Sequence, residues 1–454
     1  MYEMNWSASK IQGSNAQDIA GSIETALRNG ELHAGDALPA VRHLATQLGV
    51  NPNTVAAAYA RLRDAGRLVT SGRRGTRVAG EAAYIPAAYV VPDGLRDLAG
   101  GQVDAALLAH LRAGSWSKLL QQPLALGAST GELSDDEELL AIAGEWLGSQ
   151  GIPGDCVGIF SSTLDTIERA LRQHARPGDR VAMEDPGWPP LLALLRSLRL
   201  RAVPLSMDAQ GLQVPADGML AGCAAVILTP RAHNPTGTAI RPDRWRALRR
   251  QLRACPNTLV VFNDYWGLLS GTPLVCAGAL PPNWLYVMSL GKPLGPEMRV
   301  CIATGVPDLV VGMRAHFALG PRKVSLWLQR FAALLWRQAA RGKGRGSFAH
   351  MQSAYAARRR ALAVELLGQG VAMAGGDATH ADTEGLHLWI PVPDELTAVQ
   401  AMASRGWAVQ AGSPMVLASA PAIRISVGAV DRRDARRLAG DLAAAVRLQA
   451  RAVF

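Results

Sequence analysis

Cysteine, lysine and aromatic residues are scarce in this chain of 454 residues. Its five cysteines are spread singly, with no CxxC pair, and their odd number cannot pair completely within one chain. This pattern argues against a disulfide framework and a structural zinc site, and it fits a reducing compartment. Only five of the 47 basic residues are lysines, so each lysine is informative.

Long hydrophobic runs are also missing. No stretch of about 18 apolar residues suggests a membrane span, and the first residues lack the apolar segment of a signal peptide. We therefore expect a soluble, cytoplasmic protein without a membrane partner. The chain is instead rich in apolar residues, at 49%, and carries a formal net charge of +10. Sizeable cores can be buried, and the charge suits contact with a polyanion, although an arginine-rich proteome would also produce it.

The N-terminal residues show helical spacing of apolar side chains in three short stretches. Gly49 ends the second stretch, and Asn51 and Thr54 offer capping groups for the third. Residues 68–78 then predict a short hairpin with a glycine-rich, basic tip. Three helices and a hairpin predict a winged helix-turn-helix over residues 1–80, which binds double-stranded DNA.

The third of these helices is expected to enter the major groove, where amides and hydroxyls match the base edges. The residues predicted to contact DNA are Arg42 on the second helix, Asn51, Asn53, Thr54 and Tyr59 on the third, and Arg73 and Arg74 at the hairpin tip. The two tip arginines could reach a minor groove or the backbone, or lie in a solvated turn.

This N-terminal pattern resembles the GntR family of bacterial regulators. The resemblance is carried by Leu38-Pro39-x-x-Arg42 in the second helix and by Val50-Asn51-x-Asn53-Thr54-Val55-x-x-Ala58-Tyr59 in the third. It extends from about Ala16 to Val78 and ends in the Gly72-x-x-Gly75-Thr76 wing. It implies a bacterial DNA-binding head.

The rest of the chain predicts an α/β body. After a linker expected at residues 81–96, short apolar runs without alternation are separated by helical stretches. Such runs, for example Leu259–Phe262 and Val300–Thr304, suit buried parallel strands between helices. We expect a large domain over residues 97–340 and a smaller α/β domain over residues 341–454.

Lys292 follows one of the buried runs, in Ser289-Leu290-Gly291-Lys292. A partly desolvated lysine amine can form a Schiff base with an aldehyde. The block from Ser289 to Arg299 resembles the signature of MocR regulators and of fold-type I aminotransferases. The resemblance implies that Lys292 is the catalytic-type lysine that carries pyridoxal 5′-phosphate (PLP), that Ser289 lies near the phosphate, and that Arg299 grips it.

Further motifs occur in the order that this family shows, from about residue 97 to 430. By resemblance, Asn234 and Tyr265 contact the 3-oxygen of the ring, Trp188 stacks on it, Ser162 and Thr163 cradle the phosphate at a helix N-terminus, and Arg424 binds a substrate or effector carboxylate. The Gly-Leu-His-Leu strand at 385–388 also matches. The fold implied is a winged helix-turn-helix plus fold-type I aminotransferase-like large and small domains.

The family's acid at the pyridine nitrogen falls in Asn263-Asp264-Tyr265. Residues i and i+2 of a strand share a face, so Asn263 would lie with Tyr265 and Asp264 would point away. An amide at 263 cannot protonate the ring. A bulge would instead bring Asp264 to the ring, so both residues stay candidates.

Other departures weaken the expected phosphate grip or turnover. Gly291 stands where the family has a second serine, and Asp165 stands where the phosphate loop commonly has glutamine. Leu126-Gly127 replaces a Tyr-Gly element through which many aminotransferases supply a tyrosine to the partner subunit. Together these changes fit a sensor better than an efficient enzyme.

Three functions are compatible with the motifs. The leading one is a PLP-responsive MocR-type regulator, a head-to-tail homodimer whose effector is PLP or an amino compound. The loop around Asn234 and the short linker resemble the PtsJ subgroup, which is linked to vitamin B6 salvage. The alternatives are an active PLP-dependent aminotransferase with an accessory N-terminal domain, and a regulator whose body has lost PLP and only dimerises.

Overall fold

The computed structural model describes residues 11–28, 31–33, 35–64, 68–70, 75–78, 91–108, 135–374, 383–428 and 430–452. It separates into two units, one built mainly from residues 1–88 and the other mainly from the residues that follow. We call the first unit the head and the second unit the body. None of the described helices is both long enough and apolar enough to cross a membrane.

The head is the predicted winged helix-turn-helix. Its elements are α1 (Ala16–Arg28), α2 (Val41–Leu48), α3 (Pro52–Asp64), β1 (Leu68–Thr70) and β2 (Thr76–Val78), and the two strands pair antiparallel. Gly49 ends α2 in the left-handed conformation, at φ 66°, and the Asn51 side chain accepts the Asn53 N–H at the start of α3. A core of buried side chains joins the helices: Ile19, Ile23, Leu44, Val55 and Leu62.

The body contains the predicted α/β arrangement of strands and helices. Its described strands are β3 (Arg96–Asp97), β4 (Val157–Phe160), β5 (Arg180–Asp185), β6 (Arg201–Asp208), β7 (Gly211–Leu212), β8 (Cys223–Leu228), β9 (Leu259–Asn263), β10 (Trp284–Ser289), β11 (Cys301–Gly305), β12 (His387–Pro391), β13 (Trp407–Ala408), β14 (Gln410–Ala411) and β15 (Ala422–Ser426). Its described helices are α4 (Glu137–Ser149), α5 (Thr163–His174), α6 (Pro189–Ser197), α7 (Pro242–Arg253), α8 (Gly291–Leu294), α9 (Pro307–Ala318), α10 (Leu326–Arg341), α11 (Phe348–Gly368), α12 (Glu395–Ala403) and α13 (Arg432–Ala452).

The large sheet of the body has the order β4-β11-β10-β9-β8-β5-β6-β7. Strands β8, β9 and β10 run parallel, as expected from their uniformly apolar sequences. The expectation of a parallel strand at residues 300–304 is wrong, because β11 is antiparallel to both β10 and β4. A parallel crossover needs a connection of about a dozen residues or more, usually a full helix, whereas residues 290–300, which contain only the four-residue helix α8, join β10 to β11.

A small domain is built around the antiparallel strands β12, β15 and β14. Its core includes Leu388, Trp407, Ile423 and Leu442, all buried. The N-terminal end of the body also belongs here, since β3 pairs in parallel with β13 and Leu98 lies in the same core. This differs from the expected start of the large domain at residue 97, because two paired residues are too short a strand to be recognised from sequence.

Candidate functional site

Lys292 lies in α8, directly after the central strand β10. Its Nζ donates a hydrogen bond to the backbone oxygen of Gly101. Burial, followed by the positive charge of Arg424, lowers the pKa of Lys292 to about 8. An amine with a lowered pKa is more often neutral near pH 7, and only the neutral amine is a nucleophile.

Arg424 lies beside Lys292 and is only 8% exposed. Its Nη1 donates to Asn234 Oδ1 at 3.2 Å, and its Nη2 donates to the backbone oxygen of Ala99 at 2.5 Å. Its charge also acts on Tyr265, whose hydroxyl donates to a backbone oxygen at 2.6 Å. The guanidinium is therefore held in place before any ligand binds.

Gly101 allows His387 to approach the same place. A Cβ at Gly101 would lie 3.3 Å from the His387 ring and 3.9 Å from Lys292 Nζ. Burial, and then the charges of Arg424 and Lys292, lower the pKa of His387, so its ring is neutral near pH 7. We call these polar residues, contributed by separate elements, the Lys292 cluster: Asn234, Tyr265, Lys292, His387 and Arg424.

The cluster region leaves buried polar atoms without a hydrogen-bond partner in the described part of the chain. They include Arg424 Nε, His387 Nδ1 and Asn263 Oδ1. An unpaired buried polar group costs about 1–3 kcal/mol, so such atoms mark a place where a polar ligand fits. The donor set suits PLP, which brings an aldehyde, ring heteroatoms and a phosphate.

Asp264, the other candidate for the pyridine nitrogen, makes its side-chain hydrogen bonds outside this cluster. It is fully buried, and its carboxylate accepts hydrogen bonds from Arg231 Nη2 at 2.7 Å and from the Tyr286 hydroxyl at 2.5 Å. Arg231 Nη1 also donates to the backbone oxygen of Thr272 at 2.7 Å. Strand alternation persists without a bulge, and Asp264 therefore faces the side of the sheet that carries Tyr286.

The predicted phosphate end is built on the N-terminus of α5. Ser162 caps this helix, with its hydroxyl accepting the Asp165 N–H at 3.1 Å. Thr163 is buried, with its hydroxyl 4.0 Å from the Cys301 sulfur. Asp165 itself accepts from Arg169 Nε at 2.9 Å, so an ion pair offsets the repulsion that its charge would cause.

Two other predicted phosphate ligands flank α8. The Ser289 hydroxyl accepts the Gly291 N–H at 3.1 Å. Arg299 is exposed just before β11, and its charge acts on the Cys301 thiol against the burial that raises the pKa of Cys301 to about 12. Cys301 is paired with Phe160 at the end of β4, which leads into α5, so Arg299 lies close to the start of α5.

Trp188, the predicted stacking residue, is half-buried just before α6. It follows a cis peptide bond between Asp185 and Pro186. The Asp185 carboxylate accepts backbone N–H groups from the small-domain loop, including Leu417 at 2.7 Å and Ala418 at 2.8 Å. The turn that carries Trp188 is thus tied to the small domain.

Sequence reasoning assigned no role to a second buried pair, Glu184 and His233. His233 Nε2 lies 3.4 Å from a Glu184 carboxylate oxygen, and its Nδ1 is 2.9 Å from the Thr236 hydroxyl. Burial raises the pKa of Glu184 to about 8 and lowers that of His233 to about 3. Both residues are therefore mostly uncharged near pH 7, and their hydrogen-bond partners Thr229 and Thr236 lie in the segment that carries Asn234.

In the head, Arg42, Asn51 and Asn53 are exposed, and Thr54 is half-buried. Arg61 is also exposed, two turns along α3 from Asn53, and it was missed by sequence reasoning. The signal was the spacing, since residues 53, 57 and 61 share one helical face. This face combines the Arg61 guanidinium group with the Asn53 amide, which suits contact with DNA.

Tyr59 is fully buried, and its hydroxyl donates to the Pro39 backbone oxygen at 2.8 Å. The expectation that Tyr59 contacts DNA is therefore wrong: its ring fills the core between α2 and α3. Arg73 and Arg74 lie outside the described residues.

Comparison with known proteins agrees with both units. Residues 15–78 match the family described as bacterial regulatory proteins, gntR family. Residues 153–442 match aminotransferase class I and II. A kynurenine aminotransferase structure from Pyrococcus horikoshii, in complex with PMP, aligns with a TM-score of 0.68 at 18% identity, covering 79% of this chain and 92% of that chain; this likeness shows the fold.

The curated relatives include transcription regulators. The vitamin B6 salvage pathway transcriptional repressor PtsJ of Salmonella typhimurium is 33% identical, over 95% of this chain and 98% of its own. The pyridoxine biosynthesis transcriptional regulator PdxR of Corynebacterium glutamicum is 27% identical, over 58% of this chain and 60% of its own. The chain therefore belongs to the MocR-type transcription regulators, in which a GntR-family DNA-binding head is fused to a class I and II aminotransferase domain.

Proposed function

We propose that this regulator binds PLP covalently through Lys292 and that PLP is its effector, controlling genes of vitamin B6 salvage. The observation that carries the proposal is the Lys292 amine, whose pKa is lowered to about 8 amid unpartnered polar groups. Two of its regulator relatives are named for vitamin B6 metabolism. An amino compound as effector would use the same site.

Each end of PLP has a matching set of side chains. When bound, PLP supplies an aldehyde to which an amine can bond and a phosphate that needs N–H donors. Lys292 would hold the aldehyde end, and Asn234 and Tyr265 would hold the ring oxygen. The start of α5, with Ser162, Thr163 and nearby Arg299, would hold the phosphate through helix N–H groups and a guanidinium.

Arg424 gives the site a place for a carboxylate. Its Nε has no hydrogen-bond partner in the described structure, while its other nitrogens are held by Asn234 and Ala99. An amino acid that entered beside PLP would meet this guanidinium. An amino-compound effector would therefore act through Arg424, whereas PLP alone would leave it bound to Asn234.

Ligand binding changes DNA affinity only if the two DNA-binding states of the protein bind the ligand unequally. In the proposed head-to-tail homodimer, PLP would favour one placement of the two heads over another. Two heads would read two half-sites, so a change in their spacing changes operator affinity. The proposal needs a coupling of about 1–3 kcal/mol, or roughly 5–150-fold in affinity.

The test is operator binding with and without PLP, by footprinting on the protein's own promoter and on promoters of B6-salvage genes. Three proteins are compared: the unmodified chain, Lys292→Ala, and Lys343→Ala, which removes an exposed lysine outside the cluster. We expect PLP to change the affinity of the unmodified chain and of Lys343→Ala, but not that of Lys292→Ala. Equal affinity of the unmodified chain with and without PLP would refute PLP as effector.

A further inference from the structure

We propose that Asn263 faces the pyridine nitrogen of PLP and leaves that nitrogen uncharged, so that this body holds PLP as a ligand and not as an electron sink. The inference rests on the proposed binding of PLP.

The sheet geometry places Asn263 on the face of the Lys292 cluster. Asn263 is the last residue of β9 and is in register with Val287 of β10. Ser289 lies two residues beyond Val287, on the same face, and leads into Lys292. Because alternate residues of a strand share a face, Asn263 and Ser289 belong to the cofactor side, and the Tyr265 hydroxyl bonds Ala232 in the loop that carries Asn234.

The ladder is regular at this point, which rules out the bulge that would exchange the two candidates. Asp264 N–H donates to the Val287 backbone oxygen at 2.9 Å, which continues the pairing of β9 with β10 past Asn263. Tyr286 is in register with Phe262, and its hydroxyl bonds the Asp264 carboxylate. Phe262, Asp264 and Tyr286 therefore occupy the opposite face.

An ion pair with Arg231 also holds Asp264 on the face of the sheet that carries Tyr286. The Arg231 guanidinium, 2% exposed, donates to Asp264 through both Nε and Nη2. Turning Asp264 toward the cofactor would leave Arg231 buried and unpaired. Breaking a buried pair in this way is strongly unfavourable, so the carboxylate does not exchange places with Asn263.

Asn263 itself has an unfilled hydrogen-bonding capacity. It is 5% exposed, and its Oδ1 is buried without a partner in the described structure. The amide carries both N–H donors and an acceptor, and a half-turn of its terminal torsion exchanges the two, so an N–H can take the position of the unpartnered oxygen and face an unprotonated ring nitrogen. An unpartnered polar atom of this kind at the end of a central strand indicates a ligand atom opposite it.

An amide and a carboxylate have different effects on a ring nitrogen. A carboxylate stabilises the protonated, cationic ring by its negative charge and raises its pKa. A neutral amide lacks that charge and can instead donate an N–H to the unprotonated nitrogen. Without the positive charge, the ring withdraws electrons poorly from a bound amino compound, which disfavours proton removal and turnover while leaving binding intact.

The experiment loads the full-length protein with PLP labelled with ¹⁵N in the ring and records the ¹⁵N chemical shift near neutral pH. We expect the shift of an uncharged pyridine nitrogen in the unmodified protein. Asn263→Asp should move the signal toward the pyridinium position. Asp264→Asn, which keeps the side-chain size on the opposite face, should leave the ring signal unchanged while lowering stability.

The ring ¹⁵N shift of the unmodified protein tests the inference about Asn263 even if a variant fails to fold. A pyridinium shift in the unmodified protein, with PLP retained after desalting, would overturn this inference but leave PLP binding standing. A ring signal that responds to Asp264→Asn and not to Asn263→Asp would assign the contact to Asp264. That result would also overturn the inference about Asn263. Failure to retain labelled PLP at all would overturn both proposals.

Discussion

The head and the body differ in how exposed their functional polar residues are. In the head, the predicted DNA-contact residues Arg42, Asn51 and Asn53 are exposed over a small apolar core. In the body, Arg424 of the site and Asp264 on the opposite face of the sheet are buried and already hydrogen-bonded. A surface that binds DNA must stay accessible to phosphates and base edges, whereas a cofactor site is preorganised in an environment with little water.

This difference has an energetic consequence. Exposed charges are well solvated, so removing one changes binding more than folding. Buried charges are paired at the expense of solvation, so removing one partner leaves the other without compensation. Substitutions in the two regions should therefore separate into effects on DNA affinity and effects on stability.

The largest effect is expected for Arg231→Leu in the body. It leaves the fully buried Asp264 carboxylate without its ion pair, and removal of one partner of a buried pair costs about 3–5 kcal/mol. The measurement is the free energy of unfolding of the body in urea. The matched control is Arg172→Leu, which breaks an exposed pair with Glu168 and should cost about 1 kcal/mol or less.

Equal costs for Arg231→Leu and Arg172→Leu would contradict the description of a closed Asp264–Arg231 pair. They would also remove the reason for which Asp264 is fixed away from the cofactor. The comparison therefore sharpens the assignment of the two faces of β9.

A smaller effect is expected for Arg42→Ala in the head. Loss of a base contact should weaken specific DNA binding by about 1–3 kcal/mol. If Arg42 contacts only phosphate, the loss should be similar for all sequences and the salt slope should fall by about one. Fluorescence anisotropy at several salt concentrations distinguishes the two cases.

The charge-matched control for Arg42→Ala is Arg360→Ala, which removes an exposed arginine of the body. Its operator affinity and its unfolding free energy should stay close to those of the unmodified chain. Unchanged DNA affinity in Arg42→Ala would exclude Arg42 from the interface. A large loss of stability in that variant would contradict the contrast between the regions.

The smallest effect is expected for Tyr59→Phe, which removes the hydroxyl that bonds the Pro39 backbone oxygen. The head should lose about 0.5–1.5 kcal/mol of stability, seen as earlier thermal unfolding by circular dichroism. DNA affinity well below the unfolding temperature should not change. Weaker DNA binding at unchanged stability would instead place the Tyr59 hydroxyl at the interface.

The sequence was sufficient for the fold class because strong local signals agree with it. Helical spacing, the stop at Gly49 and the apolar runs predicted both units. The direction of β11 was not predictable from its apolar composition, since a buried antiparallel strand looks the same as a parallel one. The connection through α8 decided it.

For the site, the sequence was informative about residues in motifs and uninformative about residues whose roles depend on contacts. Lys292 and Asn234, which occur in recognisable motifs, were proposed as site residues without knowledge of their contacts. The choice between Asn263 and Asp264 depended on whether β9 has a bulge, which only the hydrogen-bond register shows. Arg231 received no role because its partner Asp264 is distant in sequence, and a single sequence does not reveal such pairing.

The central claim is that Lys292 carries PLP in a DNA-binding regulator. The most direct test is borohydride reduction of the purified protein after incubation with PLP, followed by peptide mass mapping and an absorbance spectrum. We predict a visible band that is lost on reduction and a single labelled peptide that contains Lys292. A colourless protein, or a label distributed over Lys323 and Lys343, would contradict the account.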